Sequence, residues 1–211
     1  MGELMIVRIV SLLIGYAFGN ILSAFVVAKF FGQPAPTEFG SGNPGTANVG
    51  AVLGKKAGIL VLIGDLFKTL VALVLVQFIF TADAELAMLY AGLGLTLGHD
   101  FPIWQKFKGG KGVAVSVLFM LIFDWRLGLI ELLVALFVLV VSQNLTVPPI
   151  LALLLMTAQY MMRGDTETMY VFLVLTLIMI WQFRTDLKDL VQGNAKKVDI
   201  LKSTKQRFKN K

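Results

Sequence analysis

The sequence has no cysteine and a single histidine, His99, among its 211 residues. The absence of cysteine excludes disulfides, thiolate nucleophiles and cysteine-bound metals, and one histidine excludes a multi-histidine metal site within the chain. No cofactor or metal is therefore expected. Charged residues are also scarce, at 15% against about 25% in soluble domains, whereas 57% of the residues are hydrophobic. This composition excludes a secreted disulfide scaffold, a disordered regulator and an ordinary cytosolic enzyme.

The hydrophobic residues occur in long blocks, which is typical of a membrane protein. A helix that spans a bilayer needs roughly 20 apolar residues, or about 17 at the short end. Three blocks reach that length easily and four are shorter: residues 5–31, 57–80, 86–104, 113–123, 127–142, 148–162 and 168–183. They predict an all-α integral membrane protein with about seven transmembrane helices. The fourth block is short enough to be a half-helix or a re-entrant segment, and five spans remain an alternative.

Basic residues are distributed unevenly between alternate loops. With the N-terminus outside, fifteen Lys and Arg residues fall on the inner side and three on the outer side. Loops rich in Lys and Arg stay in the cytoplasm, so the N-terminus is predicted outside and the C-terminus in the cytoplasm. Topology also accounts for the net charge of +6, and no nucleic-acid partner is expected. Residues 1–193 are predicted to form one helical transmembrane domain, followed by a basic cytoplasmic tail at 194–211.

Two glycine-rich loops fall on the inner side of this predicted topology. The first reads GSGNPGTAN over residues 40–48. Asn43 is a favourable N-cap and Pro44 suits a first helical turn, so a helix is expected to begin there. Glycines allow backbone N–H groups to converge on one point, which favours an anion. A plain glycine-rich turn between two spans is the alternative, and this loop alone does not decide between them.

The second loop reads GHDFP over residues 98–102 and FKGGKG over residues 107–112, just before the next predicted helix. Lys108 and Lys111 flank a diglycine there. The N–H groups and dipole of a helix N-terminus, together with two ammonium charges, favour a phosphate. The loop is not a Walker A motif, because GxxxxGKS and GxxxxGKT are both absent. The alternative is a loop that only anchors the protein at the membrane, but anchoring lysines do not need glycines between them.

Ionisable residues also lie within the apolar blocks, among them Asp65, Lys68 and His99. Asp65 and Lys68 are three residues apart and share one helix face. Charges inside a membrane are functional candidates that usually pair, so the two are expected to neutralise each other, with Lys68 as a more speculative anion contact. His99 lies at the end of an apolar helix, where a structural, hydrogen-bonded role is favoured over catalysis.

These loops, in this order and spacing, resemble those of the bacterial acyl-phosphate:glycerol-3-phosphate acyltransferase family, PlsY. The first family motif typically reads GSGNxGATN. The second reads GHxFPxxxxFKGGKG, and every fixed position of it is present here. An Asp-x-x-Lys pair between the motifs is matched by Asp65 and Lys68, and the resemblance extends from the first helix to about Gly193.

The chain also departs from the family. Thr46-Ala47 reverses the usual Ala-Thr, and Gly50-Ala51 stands where an arginine usually follows. Residues 146–149 read TVPP where serines are usual, and of the third motif, His-Arg-Glu-Asn-Ile, only Arg184 is kept. These departures are the basis of a first alternative, a catalytically weak or silent paralogue that binds lipid or acyl phosphate. A small transporter of phosphate compounds is the second alternative.

The resemblance implies transfer of an acyl group from acyl phosphate to glycerol 3-phosphate, giving lysophosphatidate for phospholipid synthesis. It implies an active site that faces the cytoplasm from the bacterial inner (plasma) membrane. Expected partners are acyl phosphate, glycerol 3-phosphate, membrane lipids and, through coupling, the enzyme that makes acyl phosphate. The residues expected to catalyse are Ser41, Asn43, Lys111 and Arg184. Those expected to bind substrate are Gly42, Gly45, Thr46, Asn48, Lys68, His99, Lys106, Lys108, Gly109, Gly110 and Gly112.

Overall fold

The structure, a computed structural model, describes residues 2–195, which form ten α-helices and contain no strand. The helices are α1 (Gly2–Gly19), α2 (Ser23–Phe30), α3 (Thr46–Leu53), α4 (Lys55–Ile79), α5 (Ala84–Asp100), α6 (Val113–Phe123), α7 (Trp125–Ser142), α8 (Val147–Arg163), α9 (Thr166–Gln182) and α10 (Arg184–Val191). Helices satisfy their backbone hydrogen bonds internally, which is what a lipid environment requires. The predicted basic tail, apart from its first two residues, lies outside the described residues.

Each of the seven predicted apolar blocks is helical over most of its length, which confirms the predicted helices. Within the described residues, three stretches are long and apolar enough to cross a membrane: Gly2–Phe30, which joins α1 and α2, Lys55–Ile79 and Trp125–Ser142. A fourth results if α9 and α10, which are bent by 64° relative to each other, form one span. The remaining apolar helices are shorter, with 17 residues in α5 and in α8 and 11 in α6. The fold is therefore an all-α membrane fold.

Three helix boundaries differ from the prediction. The expected helix start at Asn43 and Pro44 is wrong, because α3 begins at Thr46 with Gly45 as its N-cap. The amide of Gly45 donates to the carbonyl of Asn43 at 2.9 Å, so the chain is still turning at these residues. The first block is interrupted between α1 and α2, and the third ends at Asp100.

The chain divides after Trp125 into two compact units. In the first unit, α1 and α5 run parallel and touch backbone to backbone through glycines. A Cβ added at Gly15 would lie 2.1 Å from the carbonyl oxygen of Ala91, and one at Gly94 would lie 2.1 Å from that of Leu12. Small residues four apart allow this close approach inside membranes. We call this contact the glycine seam; it also includes Gly19 and Gly98.

Helix α4 runs antiparallel to α5. Gln77 of α4 contacts Met88 near the connecting turn, and farther from the turn Lys68 of α4 contacts His99. The residues that precede α4 and those that follow α5 therefore emerge at the same end of this helix pair. Both glycine-rich loops are attached at that end.

The second unit contains α8 and α9, which are joined by aromatic and hydroxyl contacts. The rings of Tyr160 and Phe172 stack with their centroids 5.6 Å apart. The hydroxyls of Thr157 and Thr176 lie 3.3 Å apart. Hydroxyl contacts of this kind hold membrane helices together at modest energy.

Candidate active site

The first glycine-rich loop, residues 40–48, is shaped by the buried side chain of Asn48. Its Oδ1 accepts the N–H of Ser41 at 2.8 Å, and its Nδ2 donates to the carbonyls of Pro36 at 3.0 Å and Phe39 at 3.1 Å. Gly40 has φ +58, and a Cβ there would lie 2.1 Å from Asn48 Oδ1. The side chain of Asn48 is therefore used within the loop, which we call the serine loop.

The serine loop presents the Ser41 side chain to solvent. Ser41 is exposed, and its Oγ accepts the N–H of Asn43 at 3.4 Å. The amides of Gly42 and Gly45 donate to the carbonyls of Phe39 and Asn43, so these two glycine amides do not converge on an external point. The first-turn amides of α3, from Thr46 onward, have no partner within their helix. The loop thus offers an exposed hydroxyl beside a helix N-terminus.

The second loop, residues 106–112, packs along His99 and Asp100, and we call it the lysine loop. The amide of Gly109 donates to the carbonyl of Asp100 at 3.0 Å, and the amide of Gly110 donates to the carbonyl of His99 at 2.9 Å. A Cβ at Gly109 would lie 2.1 Å from His99 O, and one at Gly110 would lie 2.1 Å from His99 Nε2. These glycines are required for close packing, and their amides are already hydrogen bonded inside the protein.

The lysine loop ends at the start of α6, as predicted. Gly112 is the N-cap of α6, with φ +65, and the Asp100 carboxylate lies beside it. Lys106, whose φ is +52, and Lys108 are exposed, and Lys111 is partly buried. The helix N-terminus supplies partial positive charge, to which the lysines add full charges. The buried Asp100 carboxylate already lies at this helix end, so it is the added charge of the lysines that favours an external anion at this loop.

Beneath the lysine loop lies a buried polar cluster around Lys68. Its Nζ is 3.1 Å from Asp65 Oδ1 and 2.9 Å from His99 Nδ1, and the Ser23 hydroxyl donates to Asp65 Oδ1 at 3.0 Å. The expected pairing of Asp65 with Lys68 is therefore present. Lys68 Nζ also donates to the carbonyls of Gly19, at 3.2 Å, and Ile21, at 2.6 Å. These contacts provide hydrogen bonds to backbone carbonyls that lie where the helix is interrupted between α1 and α2.

Residues at the end of α1 and just after it hold the segment 101–104, which leads into the lysine loop. Asn20 is buried, and its Oδ1 accepts the N–H of Ile103 at 2.8 Å. The indole of Trp104 donates to the Asn20 carbonyl at 3.1 Å, and the Tyr16 hydroxyl donates to the Phe101 carbonyl at 2.8 Å. The end of α1 thus fixes residues 101–104.

Helix α4 connects the two loops. A Cβ at its Gly58 would lie 3.1 Å from the carbonyl oxygen of Thr46 and 2.8 Å from the Cα of Gly50. Lys68, which holds the cluster under the lysine loop, follows Gly58 by roughly 15 Å along the axis, at about 1.5 Å per residue. One helix therefore supports the serine loop and the lysine loop.

Arg184 lies in the second unit, at the first residue of α10. Its guanidinium donates to the carbonyl of Trp181 at 2.8 Å and lies over the Trp181 ring, 4.6 Å from its centroid. The side chain is exposed, so the arginine is held in place while remaining accessible.

Three residues that organise the site belong to neither motif and were not predicted from the sequence: Tyr16, Asn20 and Ser23. A polar Asn20 inside an apolar block was the available signal, because buried polar groups in membranes need partners. The repeated spacing Gly15–Gly19 and Gly94–Gly98 likewise indicated a close helix contact.

Comparisons with known proteins agree with this arrangement. Residues 9–193 match the protein family described as Glycerol-3-phosphate acyltransferase. The chain is 52% identical over 199 residues to glycerol-3-phosphate acyltransferase 1 of Lactobacillus johnsonii, over 94% of this chain and 96% of that protein.

Two solved structures are also similar. The crystal structure of PlsY, an integral membrane glycerol 3-phosphate acyltransferase, in its glycerol 3-phosphate form has a TM-score of 0.79 at 26% identity, covering 96% of this chain and 98% of that one. Its lysophosphatidic acid form has a TM-score of 0.78 at 27% identity, with coverages of 90% and 94%. The resemblance seen in the two motifs is thereby confirmed over nearly the whole chain, and the chain belongs to the family of membrane glycerol-3-phosphate acyltransferases.

Proposed function

We propose that this acyltransferase moves a fatty acyl group from acyl phosphate to a hydroxyl of glycerol 3-phosphate, giving lysophosphatidate and inorganic phosphate. The observation that carries the proposal is the attachment of the serine loop and the lysine loop to the same end of the α4–α5 pair. Two anion-favouring loops at one end suit a reaction between two phosphate compounds. The names of the relatives support catalysis over a silent paralogue or a transporter.

The chemistry needs little from the protein beyond positioning and charge. The glycerol hydroxyl oxygen attacks the acyl carbonyl carbon, a new ester C–O bond forms, and the C–O bond to the donor phosphate breaks. The hydroxyl proton passes to a phosphate oxygen, so no side-chain base is required. Holding both substrates together lowers the entropic part of the barrier, and fixed positive groups stabilise the developing charge on the departing phosphate.

We assign the donor phosphate to the serine loop. Ser41 is exposed and positioned by Asn48, so its hydroxyl is available to a phosphate oxygen. Asn43 and the first-turn amides of α3 beginning at Thr46 lie beside it. Gly42 and Gly45 shape the turn, and Asn48 acts through the loop that it organises.

We assign the phosphate of glycerol 3-phosphate to the lysine loop. Lys111 and Lys108 supply charge, with Lys106 nearby, and the α6 N-terminus that follows Gly112 supplies N–H groups. Gly109 and Gly110 allow the loop to pack on His99 and so shape the substrate site. The catalytic role expected for Arg184 stays a prediction.

The membrane arrangement follows from the charge distribution. We propose about seven spans, with the N-terminus outside and the active site facing the cytoplasm of a bacterial plasma membrane. Fifteen of the nineteen Lys and Arg residues fall on the inner side in this arrangement. Residues 1–193 form the catalytic domain, and coupling to the enzyme that makes acyl phosphate is consistent with a labile, membrane-associated donor.

The test is direct. Purified protein in lipid nanodiscs is supplied with acyl phosphate and glycerol 3-phosphate, and lysophosphatidate is measured; acyl-CoA in place of acyl phosphate controls for donor choice. Lys111→Ala is expected to raise KM for glycerol 3-phosphate, because it removes a charge from the lysine loop, and Arg126→Ala serves as a charge-matched control on the predicted outer side. Absence of lysophosphatidate above background, with a PlsY enzyme active alongside, contradicts the proposal.

A further inference from the structure

The buried ammonium of Lys68 has more acceptors around it than protons to give. Nζ lies 2.6 Å from Ile21 O, 2.9 Å from His99 Nδ1, 3.1 Å from Asp65 Oδ1 and 3.2 Å from Gly19 O. An ammonium carries three N–H groups and no lone pair. Because an ammonium cannot accept a hydrogen bond, Lys68 is the donor in its contact with His99, and its three N–H groups are shared among the four acceptors.

This contact selects one form of the imidazole. A neutral histidine ring has one donor and one acceptor nitrogen, and because Nδ1 accepts from Lys68, the proton of His99 is on Nε2. A doubly protonated ring would place an N–H and a positive charge against the ammonium at 2.9 Å. Asp65 Oδ1 does not compete for an Nδ1 proton, because it lies 3.8 Å from Nδ1, beyond hydrogen-bond distance.

The Nε2 edge of the same ring faces the lysine loop. A Cβ at Gly110 would lie 2.1 Å from Nε2, and the Gly110 amide is bonded to the His99 carbonyl. The position of the proton therefore decides whether the ring presents an N–H or a nitrogen lone pair to a loop that favours anions. An N–H attracts a phosphate through its dipole, whereas a nitrogen lone pair repels it.

We propose that Lys68 and His99 are positioning residues for the phosphate of glycerol 3-phosphate: Lys68 fixes the Nε2–H form of His99, and His99 presents that N–H beneath the lysine loop. This inference rests on the proposed function, which assigns glycerol 3-phosphate to that loop. Lys68 acts through His99 without touching substrate, since its ammonium is already surrounded by four acceptors.

Two substitutions at one position separate the two edges of the ring. His99→Asn offers Lys68 an acceptor near the place of Nδ1 and leaves nothing at Nε2. His99→Gln can reach the place of Nε2 with an amide N–H. His99→Asn is expected to raise KM for glycerol 3-phosphate by roughly 2- to 10-fold, because the Nε2–H acts on the phosphate from beneath Gly110 and its loss costs about as much as a typical net hydrogen bond. His99→Gln is expected to raise it less, and both should leave KM for acyl phosphate near wild type.

Lys68→Met tests the coupling between the two residues. Without the ammonium, the tautomer of His99 is no longer fixed, so KM for glycerol 3-phosphate is expected to rise. If the two residues act as one unit, the Lys68→Met and His99→Asn effects will be non-additive in the double variant. If Lys68→Met does not fold, the comparison of His99→Asn with His99→Gln decides alone, because neither adds nor removes a formal charge on the neutral ring.

The outcomes are distinct from those that test the proposed function. A wild-type protein that makes no lysophosphatidate overturns the proposed function itself. An active wild type in which His99→Asn and His99→Gln have equal KM values for glycerol 3-phosphate overturns only the tautomer assignment. A rise confined to KM for acyl phosphate overturns the assignment of this histidine to the lysine loop.

Discussion

Lys68 and Glu131 are ionisable side chains buried inside long apolar helices of different units, and their surroundings differ. Lys68 of α4 is 4% exposed, and it contacts a carboxylate, an imidazole and two backbone carbonyls. Glu131 of α7 is fully buried and accepts one hydrogen bond, at 2.8 Å, from the neutral Nε2 of Gln159. Within residues 2–195, Glu131 Oε2 and Gln159 Oε1 have no hydrogen-bond partner.

The comparison shows how a charge is maintained in a membrane helix. A buried charge is tolerated when an opposite charge and hydrogen bonds surround it, and Lys68 meets both conditions beside the candidate active site. Glu131 has a neutral amide partner instead. The first arrangement depends on charge, whereas the second depends on shape and hydrogen bonding.

The largest expected effect comes from removing one partner of the charged cluster. Lys68→Met leaves Asp65 buried without its cation and is expected to lower the free energy of unfolding by roughly 3–5 kcal/mol. The measurement is unfolding in mixed micelles followed by circular dichroism. The control, Lys68→Met with Asp65→Leu, removes both charges and is expected to recover part of the loss. A single variant as stable as wild type would contradict the importance of charge here.

A smaller effect is expected at the second pair. Gln159→Leu removes the donor to Glu131 while keeping an apolar side chain of similar size. The expected loss is about 1–3 kcal/mol, the cost of leaving a buried polar group without its hydrogen bond. The same unfolding measurement applies. A decrease in unfolding free energy equal to that of Lys68→Met would contradict the proposed difference between the charged cluster and the Glu131–Gln159 pair.

The smallest effect is expected for Glu131→Gln. The new amide keeps the acceptor for Gln159 Nε2, and its NH2 group can donate to Gln159 Oε1, which now lacks a partner. The unfolding free energy is therefore expected to change by less than about 1 kcal/mol, the net value of a typical hydrogen bond. A large destabilisation would mean that the carboxylate charge itself is needed. Glu131→Leu, which removes the hydrogen bond, is the matched comparison.

Much of the architecture could be predicted from the sequence because it depends on local patterns. The seven apolar blocks are helical, and the lysine loop ends at the start of α6. Asp65 and Lys68 pair because residues three apart share a helix face. In each case the relevant residues are close together in the chain.

What the sequence could not show depends on distant contacts. The carbonyls of Gly19 and Ile21 bind Lys68 across more than forty residues, and the pattern of α1 does not indicate its partner. The amides of Gly109 and Gly110 bond to the carbonyls of Asp100 and His99, respectively, and the sequence of the loop does not indicate these acceptors. The N-cap at Asn43 failed because the serine loop continues to turn as far as Gly45. The conformational preferences of neighbouring residues do not indicate which distant residue a backbone amide or carbonyl will bond to.

The glycine seam has a consequence for how substrates enter and leave. Carbonyl oxygens of α1 lie where side chains of α5 would otherwise stand, so no lipid tail fits between these helices. Tyr16 and Asn20 fix residues 101–104 to the end of α1, so that segment is held by the closely packed α1–α5 pair. The proposed active site is therefore expected to admit substrate and release its acylated product through movement of elements that lack such a backbone-to-backbone contact.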